Sequence, residues 1–100
     1  MRTLAKPAKT VDLHADTFID NWEDYDADEL LGFSIDLFRD SLDAAIYWGF
    51  AEIKFIHGKG KGKLKDCIYE ELREYKNSGT IISFYPAYHN EDIVVVNIGV

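Results

Sequence analysis

The chain is short of cysteine, proline and serine, and one long stretch of it is almost without base. Cys67 stands alone, which excludes a disulfide framework or a cysteine zinc site and points to a reducing compartment. The two prolines fall near the ends. Pro7 lies in residues 1–10, read as a flexible N-terminal tail; Pro86 closes a strand-like run and suggests a sheet edge. Ser34 and Ser41 both fall on a predicted helix, so no serine triad is suggested. No apolar run approaches the length that spans a bilayer, and the start has no apolar signal region. A cytoplasmic protein that avoids membranes is expected.

What the chain does hold is apolar and aromatic material: 47% hydrophobic residues and 14% aromatics in 100 residues. That is enough for one domain with a single core, without staples. The formal net charge is −7, unevenly placed. Residues 15–50 carry ten acids against one base, Arg39, whereas residues 53–65 carry five lysines and no acid. Such polarity allows a phosphate to dock at the lysines but gives poor long-range steering of a polyanion. Extensive contacts along a duplex are not expected.

Val11-Asp12-Leu13-His14 alternates apolar and polar residues, the period of a half-buried strand. Asp12 and His14 then share one face, either acting together on a ligand or forming a solvated face. Residues 16–28 read as an acidic insertion anchored by Phe18, Ile19, Trp22 and Tyr25. They lack the order of a calcium loop, which favours a solvated face over a metal site. Asp26 precedes Glu29 in capping-box spacing, and a helix is predicted to about Trp48, with Leu31, Ser34, Leu37, Phe38, Leu42, Ala45 and Ile46 inward. Residues 51–57 form a second strand, 64–76 a second helix, 80–85 a third strand and 93–100 a fourth. The expected fold is α/β, a two-layer sandwich of order βαβαββ, with a four-stranded mixed sheet and two helices. The apolar run of the fourth strand suggests an interior place. A strand, a helix and a parallel strand bring Asp12, His14 and His57 to one edge of the sheet, where open α/β sheets bind ligands.

The stretch after the second strand is His57-Gly58-Lys59-Gly60-Lys61-Gly62-Lys63-Leu64-Lys65. Alternating glycines free backbone N–H groups to converge on an anion, ahead of a helix N-terminus. The spacing is neither a Walker A loop nor G-x-G-x-x-G. His57 here is either catalytic or holds the loop by hydrogen bonds. Taken together, Val11-Asp12-Leu13-His14 and Ile56-His57-Gly58-x-Gly60-x-Gly62-x-Leu64-Lys65 resemble the two motifs of the Smr (small MutS-related) domain family. The resemblance spans residues 11–100. It implies a fold like the C-terminal domain of translation initiation factor three, with strand order 1-2-4-3.

The resemblance also implies nucleic-acid binding, DNA or RNA, and in several members nicking endonuclease or ribonuclease activity. The catalytic candidates it points to are Asp12, His14 and His57. Phosphate contacts are expected from Gly58, Lys59, Gly60, Lys61, Gly62, Lys63 and Lys65. Asp12 or a histidine would activate a water or a ribose hydroxyl, and the loop would stabilise charge on the phosphate. The resemblance fixes no cofactor; it leaves room for a Mg²⁺ or Mn²⁺ ion, which would fall to Asp12. Three departures stand out: Ala15 replaces a glycine, Lys65 replaces an arginine, and His89-Asn90-Glu91-Asp92 replaces a glycine-rich turn. The alternatives to an endonuclease are a non-catalytic nucleic-acid-binding module and a protein-interaction domain. The sequence leaves a protein partner and the oligomeric state open.

Overall fold

In the computed structural model, residues 5–58 and 62–99 are described. The elements are β1 (Thr10–Asp12), two single 3-10 turns (Ala15–Thr17 and Trp22–Asp24), α1 (Ala27–Tyr47), β2 (Glu52–Ile56), α2 (Lys63–Asn77), β3 (Ser83–Ala87) and β4 (Asn90–Asn97). This is the expected two-layer α/β sandwich. The sheet order is β1-β2-β4-β3, with β1 parallel to β2 and the other pairs antiparallel.

Local chemistry sets the long crossover helix. Asp26 accepts from the Glu29 backbone N–H at 2.8 Å and its own N–H reaches Glu29 Oε1 at 3.2 Å, a complete capping box. Ser34, Phe38, Leu42 and Ala45 then follow at helical spacing on the buried stripe. Ser41 and Ala44 are buried as well, while Leu31 is only half-buried. At the other end the chain turns at Gly49 with φ +73, where a residue without Cβ is least strained. The two helices are tied at their far ends by Tyr75 Oη donating to Asp43 Oδ1 at 2.8 Å.

Alternation along the strands gives the core its floor. Ile53 and Phe55 of β2 and Val94 and Val96 of β4 are buried beneath Phe38 and Leu42 of α1 and Ile68 and Leu72 of α2. Phe38 and Phe55 meet edge to face, ring centres 4.8 Å apart. Lys54, Ile56, Ile93 and Tyr85 belong to the opposite face, where Tyr85 is exposed.

Several boundaries differ from expectation. β1 starts earlier and stops at Asp12, although the Leu13 N–H still donates to Ile56 O at 3.0 Å. β3 begins at Ser83 rather than residue 80, because the N–H groups of Thr80 and Ile81 are spent on Tyr75 O at the end of α2. β4 starts at Asn90, leaving Tyr88 and His89 as the turn. Pro86 lies on the edge strand β3, where its missing N–H costs least. Within the acidic segment Phe18, Ile19 and Tyr25 are half-buried, and Tyr25 stacks edge to face on Phe33 at 4.9 Å. Trp22 is exposed instead of anchoring it. Replacing Phe38 with alanine removes the centre of the core, and urea unfolding should show a loss of about 3–5 kcal/mol.

Candidate nucleic-acid site

β1 and β2 end side by side, in the register Asp12↔Ile56. Just past β1 the chain turns, and the Asp12 carboxylate folds back on it. Asp12 Oδ1 accepts the His14 backbone N–H at 2.9 Å and meets His14 Nδ1 at 2.6 Å. A carboxylate oxygen only accepts, so the proton of a neutral His14 ring sits on Nδ1 and Nε2 is left as a base. Both side chains are partly open to solvent. Thr17 Oγ1 donates to His14 O at 2.6 Å and holds the turn that follows.

The far side of the His14 ring rests on Gly58. A Cβ at position 58 would collide with His14 Nε2 and stand 2.9 Å from Cε1. Gly58 also has φ +81. Glycine is therefore required here twice over, by backbone conformation and by the close approach of the ring. The loop is pinned to β4 as well: the N–H groups of His57 and Gly58 both donate to Asp92 O, at 2.9 and 3.2 Å.

His57 goes elsewhere. The alternation that buries Ile53 and Phe55 carries on to position 57, and the side chain is only 5% exposed. Its ring meets Tyr69 edge to face, with centres 6.1 Å apart. Nδ1 lies 3.1 Å from Gly58 O. Nε2 and the Tyr69 hydroxyl are buried without a hydrogen-bond partner among the described residues. Burial lowers the His57 pKa below its ordinary value, against a smaller opposing pull from the Gly58 carbonyl. The structure thus brings Asp12, His14 and Gly58 together and sets His57 behind them.

Of the expected phosphate contacts, Lys59, Gly60 and Lys61 lie outside the described residues. Gly62 precedes α2 with φ +77 and offers no side-chain cap to the first N–H groups of that helix. Asp66 already stands in that first turn. Lys63 is exposed, 3.6 Å from Asp28 at the start of α1. Lys65 lies over the Tyr69 ring at 5.6 Å. Among the described residues no three of His, Cys, Asp and Glu cluster to hold a metal ion. Asp12 already gives an oxygen to His14, so this donor set does not fit a resident Mg²⁺ or Mn²⁺.

One feature was not foreseen from sequence. A groove of about 310 Å³ opens beside His14, between the first turns of α1 and α2. Two helix starts far apart in the chain make it, so no local pattern announces it.

The Smr domain model matches residues 34–96, which include His57 and the glycine loop. The chain belongs to the Smr domain family. This is a family of nucleic-acid-binding domains. The crystal structure of the Smr domain of Thermus thermophilus MutS2 is similar, with 26% identity over 91% of this chain and 98% of that one, and a TM-score of 0.68. No curated protein matches the chain. No helix among the described residues is long and apolar enough to cross a membrane.

Two measurements check this geometry. Gly58→Ala should destabilise the domain by about 1–3 kcal/mol, through backbone strain and collision with His14. In a His14→Ala background the collision disappears, so a double-mutant cycle should return a coupling of at least about 0.5 kcal/mol; additive losses would show that the ring does not rest on Gly58. The second concerns pH. Because the folded-state pKa of His57 is lowered, the unfolded chain binds the extra proton first as pH falls. This contribution to stability is full above the unfolded value, about 6.5, and is lost as pH falls from there through the folded value. Thermal unfolding between pH 7.5 and 5 should show a drop in Tm that shrinks in His57→Gln.

Proposed function

We propose that this Smr domain binds an RNA or DNA strand at the His14–Gly58 edge of the sheet and cleaves a phosphodiester bond there. The observation that carries the reading is the Asp12–His14 pair, 2.6 Å apart, which leaves Nε2 as the basic atom beside the glycine loop. His14 Nε2 takes a proton from a ribose hydroxyl or a water, and the oxygen released attacks phosphorus. Asp12 keeps the imidazole in the required tautomer and stabilises its protonated form. Lys63, the N–H groups opening α2, and Lys59, Lys61 and Lys65 supply positive charge to the phosphate. His57, neutral and buried, acts from behind by setting the start of the loop. The lone, half-buried Cys67 fits a protein of the cytoplasm.

A second reading, binding without cleavage, is favoured by the burial of His57. Only one histidine of the proposed site then faces the strand, and the leaving oxygen must draw its proton from a lysine or from water. A cleavage assay on structured RNA and on supercoiled DNA separates the two. Wild type should cut, and Asp12→Asn and His14→Ala should each lose at least about a hundredfold in rate while still retarding the substrate on a gel. Retardation by wild type without cleavage would leave the binding module. Neither would point to a protein partner.

A further inference from the structure

The groove beside His14 has a wall chemistry unlike the rest of the site. Leu13, Ala15, Leu30, Leu31 and Leu64 make it mostly aliphatic. His14, Lys63 and Asp28 also line it, with Lys63 Nζ 3.6 Å from Asp28 Oδ1. One lysine and one histidine thus share a groove with aliphatic side chains. The walls are the chain just past β1 and the starts of two helices that share one core, with α1 fixed at its start by a capping box.

We propose that this groove receives one unpaired nucleobase of the strand whose phosphate lies against His14. The inference rests on the proposed nucleic-acid reading and adds the substrate class, a strand that is single-stranded at the contacted nucleotide. A nucleotide combines the two chemistries this lining could receive: an anionic phosphate for His14 and Lys63, and a flat ring with large apolar faces for the aliphatic side chains. A base still paired in a duplex cannot leave its partner to enter a slot between two helices without the cost of unpairing, which an unpaired base does not meet. Charge points the same way. Seven of the ten acids of residues 15–50 precede α1 or stand in its first turn, and they oppose the continuous run of phosphates that a duplex would lay across this end of the molecule. One nucleotide held by its phosphate and its base needs no such run.

The test is fluorescence anisotropy with labelled single strands of about ten nucleotides, carrying bases or carrying abasic sugars throughout, and with a matching duplex, at one fixed salt concentration. Wild type should bind the base-bearing strand roughly tenfold more tightly than the abasic strand, and the duplex no better than the abasic strand. Ala27 lines the groove on the exposed first turn of α1. Ala27→Trp should fill the slot, bind both single strands at the abasic level and keep the wild-type Tm. The comparison of strands on wild type stands whether or not that variant folds. Equal binding of abasic and base-bearing strands by wild type overturns the slot and leaves phosphate binding at the dyad intact. A preference for bases that survives in a folded Ala27→Trp also overturns it, since the base would then be read elsewhere. Failure to bind any strand removes the nucleic-acid reading together with the slot.

Discussion

The site depends on one contact, the His14 imidazole lying on the bare α-carbon of Gly58. It joins two motifs separated by a whole crossover helix. For the contact to exist, β1 must be parallel to β2 in the register that pairs Asp12 with Ile56. That register in turn needs α1 to return the chain across one face of the sheet. The same contact decides where the base points. With Nδ1 held by Asp12 and the Nε2 end of the ring limited by Gly58, the imidazole has little rotational freedom left. In the function proposed above, a side chain fixed in this way has lost its ordering entropy during folding rather than at the moment of reaction.

Much of this was legible in the residues. The capping box at Asp26 and Glu29 marked the start of α1, Pro86 marked an edge strand, and the apolar run Ile93–Val96 marked an interior one. The chemistry of β1 was legible too, since alternation alone put Asp12 and His14 on one side and Leu13 in the core. The same rule applied to Ile53, Phe55 and His57 would have put His57 in the core. Its place beside a glycine loop suits either catalysis or holding that loop, while the strand's period decides its position. Trp22 fails the other way: a large aromatic in an irregular segment has no period to place it, and here Tyr25 and its neighbours supply the anchor. The groove beside His14 was out of reach because it is a product of tertiary packing between two helix starts.

Burying His57 has a price that the surrounding structure meets only in part. Its ring gains apolar contact with Tyr69, which itself stacks edge to face on Phe84 at 5.6 Å. Two polar atoms in this cluster lack a hydrogen bond among the described residues, and each such atom costs free energy when removed from water. What is gained is a stiff start to the loop: the backbone N–H groups of His57 and Gly58 share one carbonyl on β4, and the His57 ring packs behind them. Gly58 is thereby held where the His14 ring needs it.

The charge pattern bears on how such a domain meets a polyanion. The acids of residues 15–50 repel an approaching strand, while the lysines of residues 53–65 attract it at short range. Added salt screens both, but with opposite consequences. Screening the repulsion helps encounter, whereas weakening the local phosphate contacts hinders binding. The Lys63–Asp28 ion pair near the site is exposed to this competition and contributes little by itself. A domain built this way should show a shallower salt dependence than its lysine count suggests. On the function proposed above, selectivity then falls to short-range contacts, for which the Asp12–His14 pair and the apolar groove beside it are the candidates.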